Sequence, residues 1–389
     1  MAESTVFDIF YPRRKNLAIF GANWGTKYYD NTRFLFEYFI ENSILDPLWV
    51  TKSRKVYDYI NSIYPNRVII NNSFVERHIL LSARLFFVTH GYYDFNIFRY
   101  TKRKNPIINL WHGIFLKKFG IHTIGKREVT GSDYVGRYSD VFLASSEYEA
   151  EIISESFSMD IKDIWVTGYP RNDILVNNNS SRKLMHNSES KIILYAPTHK
   201  PNTNDTFLKF IEDSDILLQF LEENDIYLYY RVHYYDEAGR GPDEVSRANY
   251  LYNWEDLEKL SNGRIVCNSF NNFPDVSEIL SDIDILITDY SSIFFDYLLL
   301  DRPIIFLDKD IDIYKKDLGF NFDYYKNTPG PKPNNMKELL DEISKYLKNP
   351  DSDKEIRSEL KNKFHKYDDG FACERIAKKV LEGLKLGQF

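Results

Sequence analysis

The sequence predicts an α/β protein with two domains, each built on a parallel sheet flanked by helices. Three observations carry this. Short apolar runs rich in β-branched and aromatic residues recur along the chain, separated by stretches of helical length. The clearest run, Ile283 to Ile287, is apolar at nearly every position, as in a strand buried on both faces. The chain has 389 residues, 43% hydrophobic and 28% charged, enough for two domains with real cores.

Taken in order, Asn16–Phe20 is the first strand, followed by the turn Gly21–Gly25. Asp30, Asn31 and Thr32 are expected to cap a helix over Arg33–Ile40. Further strands are expected at Pro47–Val50, Val68–Ile70, Leu85–Thr89, Pro106–Leu110, Val141–Ala144 and Ile164–Thr167. Ser145-Ser146-Glu147 reads as a helix start. The polar stretch Asn177–Ser190 is the expected linker. Strands resume at Lys191–Tyr195, Tyr227–Val232 and Arg264–Val266, and Val276–Leu280 is expected to open a helix. The strand Ile283–Ile287 then leads through Thr288-Asp289-Tyr290-Ser291-Ser292 into an apolar helix, Ile293–Leu300, and a strand, Ile304–Leu307. Helices follow from Met336, with a break at Asn349-Pro350 and a last helix after Gly370. The expected domains are 1–180, 191–349 and a helical segment 350–389 packing back toward the first. Two such domains facing each other would leave a cleft lined by strand ends.

Charge and motifs exclude several classes. With 57 acidic against 50 basic residues the chain carries −7, unlike a general nucleic-acid binder. Its two cysteines, Cys267 and Cys373, give neither a disulfide framework nor a metal spacing. No signal peptide and no apolar run of about 18 residues is present, so membrane contact is expected to be peripheral and the setting cytoplasmic. There is no P-loop, GxGxxG, GxSxG, HExxH or CxxC. Asp-x-Asp pairs at 282–284 and 310–312 are of the kind that hold a divalent ion on a nucleotide-sugar, but acidic chains contain many such pairs. The expectation is an enzyme needing no metal and no cofactor.

Candidate chemistry gathers after strands: His90, His112, Arg171, His199, His233, and Thr288 with Asp289, Ser291 and Ser292. The Thr288–Ser292 turn lies at a strand's carboxyl end and a helix's amino end, where α/β sheets bind ligands and free N–H groups favour an anion. His112 precedes Gly113, which allows close backbone approach. Lys117, Lys118, Lys126 and Arg127 follow it, and Lys102, Arg103 and Lys104 precede it, a basic cluster in an acidic chain.

Trp111-His112-Gly113 with Lys117-Lys118-Phe119-Gly120, Gly168-Tyr169-Pro170-Arg171-Asn172-Asp173, Tyr195-Ala196-Pro197-Thr198, Arg231-Val232-His233, Asp275-Val276, Thr288–Ser292 and Tyr367-Asp368-Asp369-Gly370 occur in this order. Together with Asp30-Asn31 they resemble the CDP-glycerol glycerophosphotransferases of teichoic-acid synthesis, with Tyr234 where that family has proline. The resemblance runs from Gly21 to about Val380. It implies a GT-B fold and transfer of glycerol phosphate, or a related polyol phosphate, from a CDP-activated donor to a hydroxyl, releasing CMP. The acceptor it implies is a lipid-linked glycan or polyol-phosphate polymer, and the compact length resembles the priming members. It implies His112 as base and His233 with Ser291 and Ser292 at the diphosphate. Thr288, Arg231, Asp275, Pro197 and Thr198 would complete the donor site. Gly113, Lys117, Lys118, Arg171 and Asp289 would serve the acceptor or support the loops. Two alternatives stay open: a GT-B glycosyltransferase using a nucleotide-sugar, and a non-enzymatic glycan-binding module, suggested by 29 Tyr, 28 Phe and 5 Trp.

Overall fold

The structure is a computed structural model that describes residues 14–70, 74–95, 105–122, 138–177, 184, 189–198, 206–231, 253–268 and 275–387. His199, His233 and most of the expected linker lie outside the described residues. The chain forms two compact units, Met1–Asn177 with Phe364–Phe389, and Asn178–Lys363.

The first unit is built on seven strands: β1 (Leu17–Phe20), β2 (Asp46–Thr51), β3 (Val68–Ile70), β4 (Leu85–Val88), β5 (Ile107–Asn109), β6 (Val141–Ala144) and β7 (Ile164–Val166). Their order is β3-β2-β1-β4-β5-β6-β7, with every neighbouring pair parallel. β1, β4 and β6 are buried at all four positions, as parallel strands covered on both faces must be. Much of the aromatic content is core: Phe20 stacks on Phe87 at 4.5 Å and meets Phe36 and Phe39 edge-on, all four sealed from solvent. A chain that places its aromatics inside has less surface to offer as a lectin, which weakens that alternative.

The second unit has β8 (Lys191–Ala196), β9 (Ile226–Tyr230), β10 (Ile265–Cys267), β11 (Ile285–Thr288) and β12 (Ile304–Phe306), ordered β10-β9-β8-β11-β12 and again parallel. Helices Ser214–Glu223, Trp254–Leu260 and Met336–Lys348 pack their buried leucines, Ile343, Trp254 and Met336 in the apolar cluster with this sheet.

Three expectations change. The helix expected from Arg33 begins at Asp30, because Asp30 and Asn31 turn inward as bonding groups instead of capping. Val276–Leu280 is no helix but two short 3-10 turns, Val276–Glu278 and Leu280–Asp282. The Asp275 carboxylate accepts Ser277 N–H, and buried Ile279, Leu280 and Ile283 anchor the segment before β11. The return to the first unit comes at Phe364, so most of helix Lys354–Phe364 stays with the second unit. There its Arg357, 1% exposed, donates to the Asp301 carboxylate and carbonyl and to Pro350 O.

Helix Ala372–Lys385 joins the first unit through Asp173, whose carboxylate accepts Ala372 N–H at 2.8 Å and Cys373 N–H at 2.9 Å. Two otherwise orphaned donors of the first turn are thus satisfied by a residue about 200 positions earlier. Arg375 adds bonds to Thr167 O and to both Asp369 oxygens. Asp173→Ala is expected to destabilise the protein by about 0.5–2 kcal/mol, the cost of a lost cap. A urea midpoint equal to wild type at unchanged slope would refute that.

Candidate active site

In the first sheet the strand order reverses between β1 and β4, and ligands of α/β sheets bind beyond the carboxyl ends of strands at such a point. The two loops there are tied by one carboxylate. Asp94 Oδ2 accepts Thr89 N–H at 2.9 Å and His90 N–H at 3.0 Å, and its Oδ1 accepts Trp24 N–H at 2.6 Å. Lys52 adds a second tie by donating to Trp24 O and Tyr93 O. Burial raises the Asp94 carboxyl to about 6, against which the three N–H bonds and Lys52 work.

These ties, together with the end of β5, assemble four rings into a column. Trp24 lies 4.3 Å from His90, His90 stacks on His112 at 4.4 Å with the rings 2° from parallel, and His112 lies 4.2 Å from Trp111. Trp24 and Trp111 both sit in left-handed backbone, at φ 55 and 53, unusual for bulky residues and held by their surroundings. For Trp111 the holding groups are polar. Asn109 Oδ1 accepts its N–H, and Asn31 Nδ2 donates to Leu110 O and Trp111 O. Gly113 follows at φ 143, where a side chain would be strained. Arg171 completes the floor, its Nη1 donating to His112 O at 2.8 Å and to the Asp30 carboxylate at 2.9 Å. Arg171 is therefore a support for the histidine loop.

His112 Nδ1 faces Thr89 O at 3.4 Å, which favours a proton on Nδ1 and leaves the Nε2 lone pair available. The Thr89 hydroxyl accepts Asn23 N–H and lies within hydrogen-bonding distance of His90 Nδ1, at 2.8 Å. Burial pushes His112 down to about 4, with Arg171 and Lys117 lowering it further and the Thr89 carbonyl opposing them. Burial and the neighbouring His112 push His90 well below its ordinary value. Both rings are half-buried and neutral at pH 7. A neutral imidazole with a free Nε2 can take a proton from a hydroxyl.

In the second sheet the order reverses between β8 and β11, and a carboxylate again bridges the two strand ends. Asp289 Oδ1 accepts Thr198 N–H at 2.8 Å and Tyr290 N–H at 2.6 Å. Tyr290 OH donates to Asp310, and Tyr324 OH to Asp289 O. Ser291 and Ser292 are half-buried, and neither makes a strong cap: Ile293 N–H reaches Ser291 Oγ only at 3.5 Å, and the N-cap Ser292 makes no side-chain capping bond. Helix Ile293–Leu298 spans six residues, so its dipole is small.

Several expected donor contacts are structural. Thr288 is sealed from solvent and its hydroxyl donates to Ala196 O, joining β11 to β8. Asp275 is the buried cap described above, and buried Arg231 donates from Nη1 to Asn268 Oδ1 at 2.7 Å. Pro197 keeps partial exposure beside the turn, whereas Thr198 is buried, and its Oγ1 has no partner among the described residues. Asp282 accepts Leu184 N–H, and Asp284 accepts Ile192 N–H and the Lys191 ammonium, all at the amino ends of β8 and β11, away from the turn. No group of three potential metal ligands occurs among the described residues. Sequence reasoning missed Asp94 and Trp24. Only the turn Gly21–Gly25 after β1 hinted at Trp24, and nothing local marked Asp94.

Residues 4–382 match the family described as CDP-glycerol:poly(glycerophosphate) glycerophosphotransferase. A teichoic acid glycerol-phosphate transferase of Staphylococcus aureus is 27% identical over 395 residues, covering 95% of this chain and 93% of its own length. A teichoic acid poly(glycerol phosphate) polymerase of Bacillus spizizenii is 29% identical over 406 residues, covering 97% and 95%. The solved wall teichoic acid polymerase TagF superposes with a TM-score of 0.73 at 25% identity, covering 99% of this chain and 94% of that one. A UDP-GlcNAc 2-epimerase of Neisseria meningitidis shares the fold alone, with a TM-score of 0.54 at 11% identity. The two Rossmann-like units are thus of the GT-B class that the resemblance implied.

The depressed value of His112 has a direct signature. Its imidazole resonances are expected to titrate near pH 4 in the folded protein, against about 6.5 for a free imidazole. Between these values the unfolded chain binds the proton and the folded one does not. This group's contribution to stability therefore falls as pH drops from about 6.5 to about 4 and is level below. A midpoint at about 6.5 by NMR would contradict the buried, neutral column.

Proposed function

We propose, for a chain that belongs to the CDP-glycerol:poly(glycerophosphate) glycerophosphotransferase family, the transfer of glycerol phosphate from CDP-glycerol to an acceptor hydroxyl with release of CMP. The acceptor is a lipid-linked glycan or a growing polyol-phosphate chain of teichoic-acid type. The observation that carries the reading is the neutral His112 at the end of β5, its loop fixed by Asn31 and Arg171. His112 Nε2 takes the acceptor hydroxyl proton. The acceptor oxygen bonds to the phosphorus bearing glycerol, and the bond from that phosphorus to the CMP phosphate oxygen breaks. An anionic donor beside the imidazole raises its proton affinity toward the working range. Ser291 and Ser292 donate to the diphosphate, and His233, outside the described residues, is assigned to the same anion.

The reaction proceeds without a divalent metal or other cofactor. In support, Asp282 and Asp284 are engaged in β-sheet ends and Asp310 by Tyr290. Nucleotide release, CMP from CDP-glycerol or CDP-ribitol and UDP or GDP from the corresponding sugars, each with and without EDTA, tests the donor and the metal together. CDP-polyol turnover that survives EDTA is expected. Release of UDP or GDP from a sugar would favour the glycosyltransferase alternative, and Mg²⁺-restored activity would refute the metal-free step. In the same assay His112→Ala is expected to lose about 10²–10⁴-fold in turnover with CDP affinity near wild type. The Ser291→Ala, Ser292→Ala double variant should weaken CDP by up to about 1.5–3 kcal/mol per lost bond. An active His112→Ala beside an inactive His90→Ala would move the base to His90.

Membrane contact is peripheral in this reading, supported by the basic residues at 102–104, 117–118 and 126–127. No helix among the described residues is long and apolar enough to cross a membrane. Binding to anionic vesicles is expected to be lost at about 1 M salt, where the Debye length is about 3 Å. Retention there would indicate apolar insertion instead.

A further inference from the structure

Among the described residues Trp24 is the one exposed tryptophan, at 39%, while the cores absorb Trp49, Trp111 and Trp254. It does not hang from a loose loop. Asn23 and Trp24 are consecutive non-glycine residues in left-handed backbone, at φ 48 and 55, followed by Gly25 at φ 74. A Cβ at Gly25 would stand 2.7 Å from Asp94 O and 3.3 Å from Lys52 Cε, so the turn is packed as tightly as it is strained. The buried Asp94 carboxylate and the Lys52 ammonium grip Trp24 on its N–H and carbonyl. Thr51 Oγ1 and Lys52 N–H both donate to Gly25 O. Strain held by this many bonds is a mark of a site whose geometry matters. What it fixes is a partly exposed indole against His90, one ring away from His112, at the point where the strand order reverses.

We propose that Trp24 is a binding platform for a sugar ring of the acceptor, a reading that rests on the transferase assignment above. An indole held still offers its face to the C–H groups of a pyranose, while the sugar's hydroxyls stay at the wet edge. One of those hydroxyls then lies over the histidine pair. The same platform suits a polyol-phosphate chain end poorly. Such a chain lacks a flat apolar face, and Lys52, which would meet its phosphate, has its ammonium on two backbone carbonyls. The platform therefore selects glycan acceptors over polyol-phosphate acceptors.

The test uses the full chain and two soluble acceptors, a disaccharide glycoside with free hydroxyls and an oligo(glycerol phosphate). Trp24→Ala is expected to raise the Kd of the glycoside by calorimetry, and its KM, about tenfold, or about 1.4 kcal/mol. Trp24→Phe should retain most of the affinity. CDP affinity stays at wild type, which shows that the donor turn is intact. The oligo(glycerol phosphate) KM should change less than about twofold, well under that one decade. An unchanged glycoside Kd in Trp24→Ala overturns the proposal, as does an equal loss for both acceptors. Glycoside binding that depends on Trp24 without any CMP release would sink the transferase reading alone. CMP release with the glycoside below its KM that is indifferent to Trp24 would sink this one alone.

Discussion

A buried carboxylate that joins two strand ends is the interaction on which the candidate residues of each unit depend. Asp94 follows β4 and takes the Trp24 N–H after β1, and Asp289 follows β11 and takes the Thr198 N–H after β8. In each sheet these are the two strands between which the order reverses. The chain beyond a strand end has no ladder partner, so its N–H groups need another acceptor. A carboxylate placed there satisfies several at once and fixes two loops with one residue. The left-handed backbone at Trp24 and the placing of the serine turn follow from that anchoring.

The two units use the same device to hold different groups. In the first, the anchored loops carry rings, and burial keeps both imidazoles uncharged. In the second, the anchored turn carries hydroxyls and amides, suited to an anion. Asp30 and Arg171 form a third, nearly buried pair at 2.9 Å beneath the histidine loop. Removing either partner would leave a charge uncompensated, so this pair fixes conformation more clearly than it adds stability.

The strands were legible because parallel strands buried on both faces leave continuous apolar runs, as in LAIF and VFLA. His90 and His112 were legible for the same reason, since a recognisable strand locates the residues just beyond its carboxyl end. Polar residues were harder. Thr288 looks like a ligand contact but hydrogen-bonds across to β8, and Asp30 and Asn31 look like caps but reach Arg171 and the Trp111 carbonyl. Their partners lie about 80 to 140 positions away, and nothing in local spacing records such a contact. Asp94 was invisible because its partners are backbone amides, which every sequence position supplies. The expected helix at Val276 failed because the apolar spacing of a buried irregular segment imitates a helical stripe.

The capping of helix Ala372–Lys385 by Asp173 has a consequence for how the protein is made. The second unit lies between these two residues in the chain, so the ribosome must synthesise all of it before the cap can form. At about 5–20 residues per second, an interval of about 200 residues is about 10–40 seconds. Throughout that time the nascent first unit has Asp173 and the Thr167 carbonyl in place but not the helix and arginine that cover them. The second unit is contiguous in sequence and needs no such wait. It can therefore finish folding first, although its synthesis starts later.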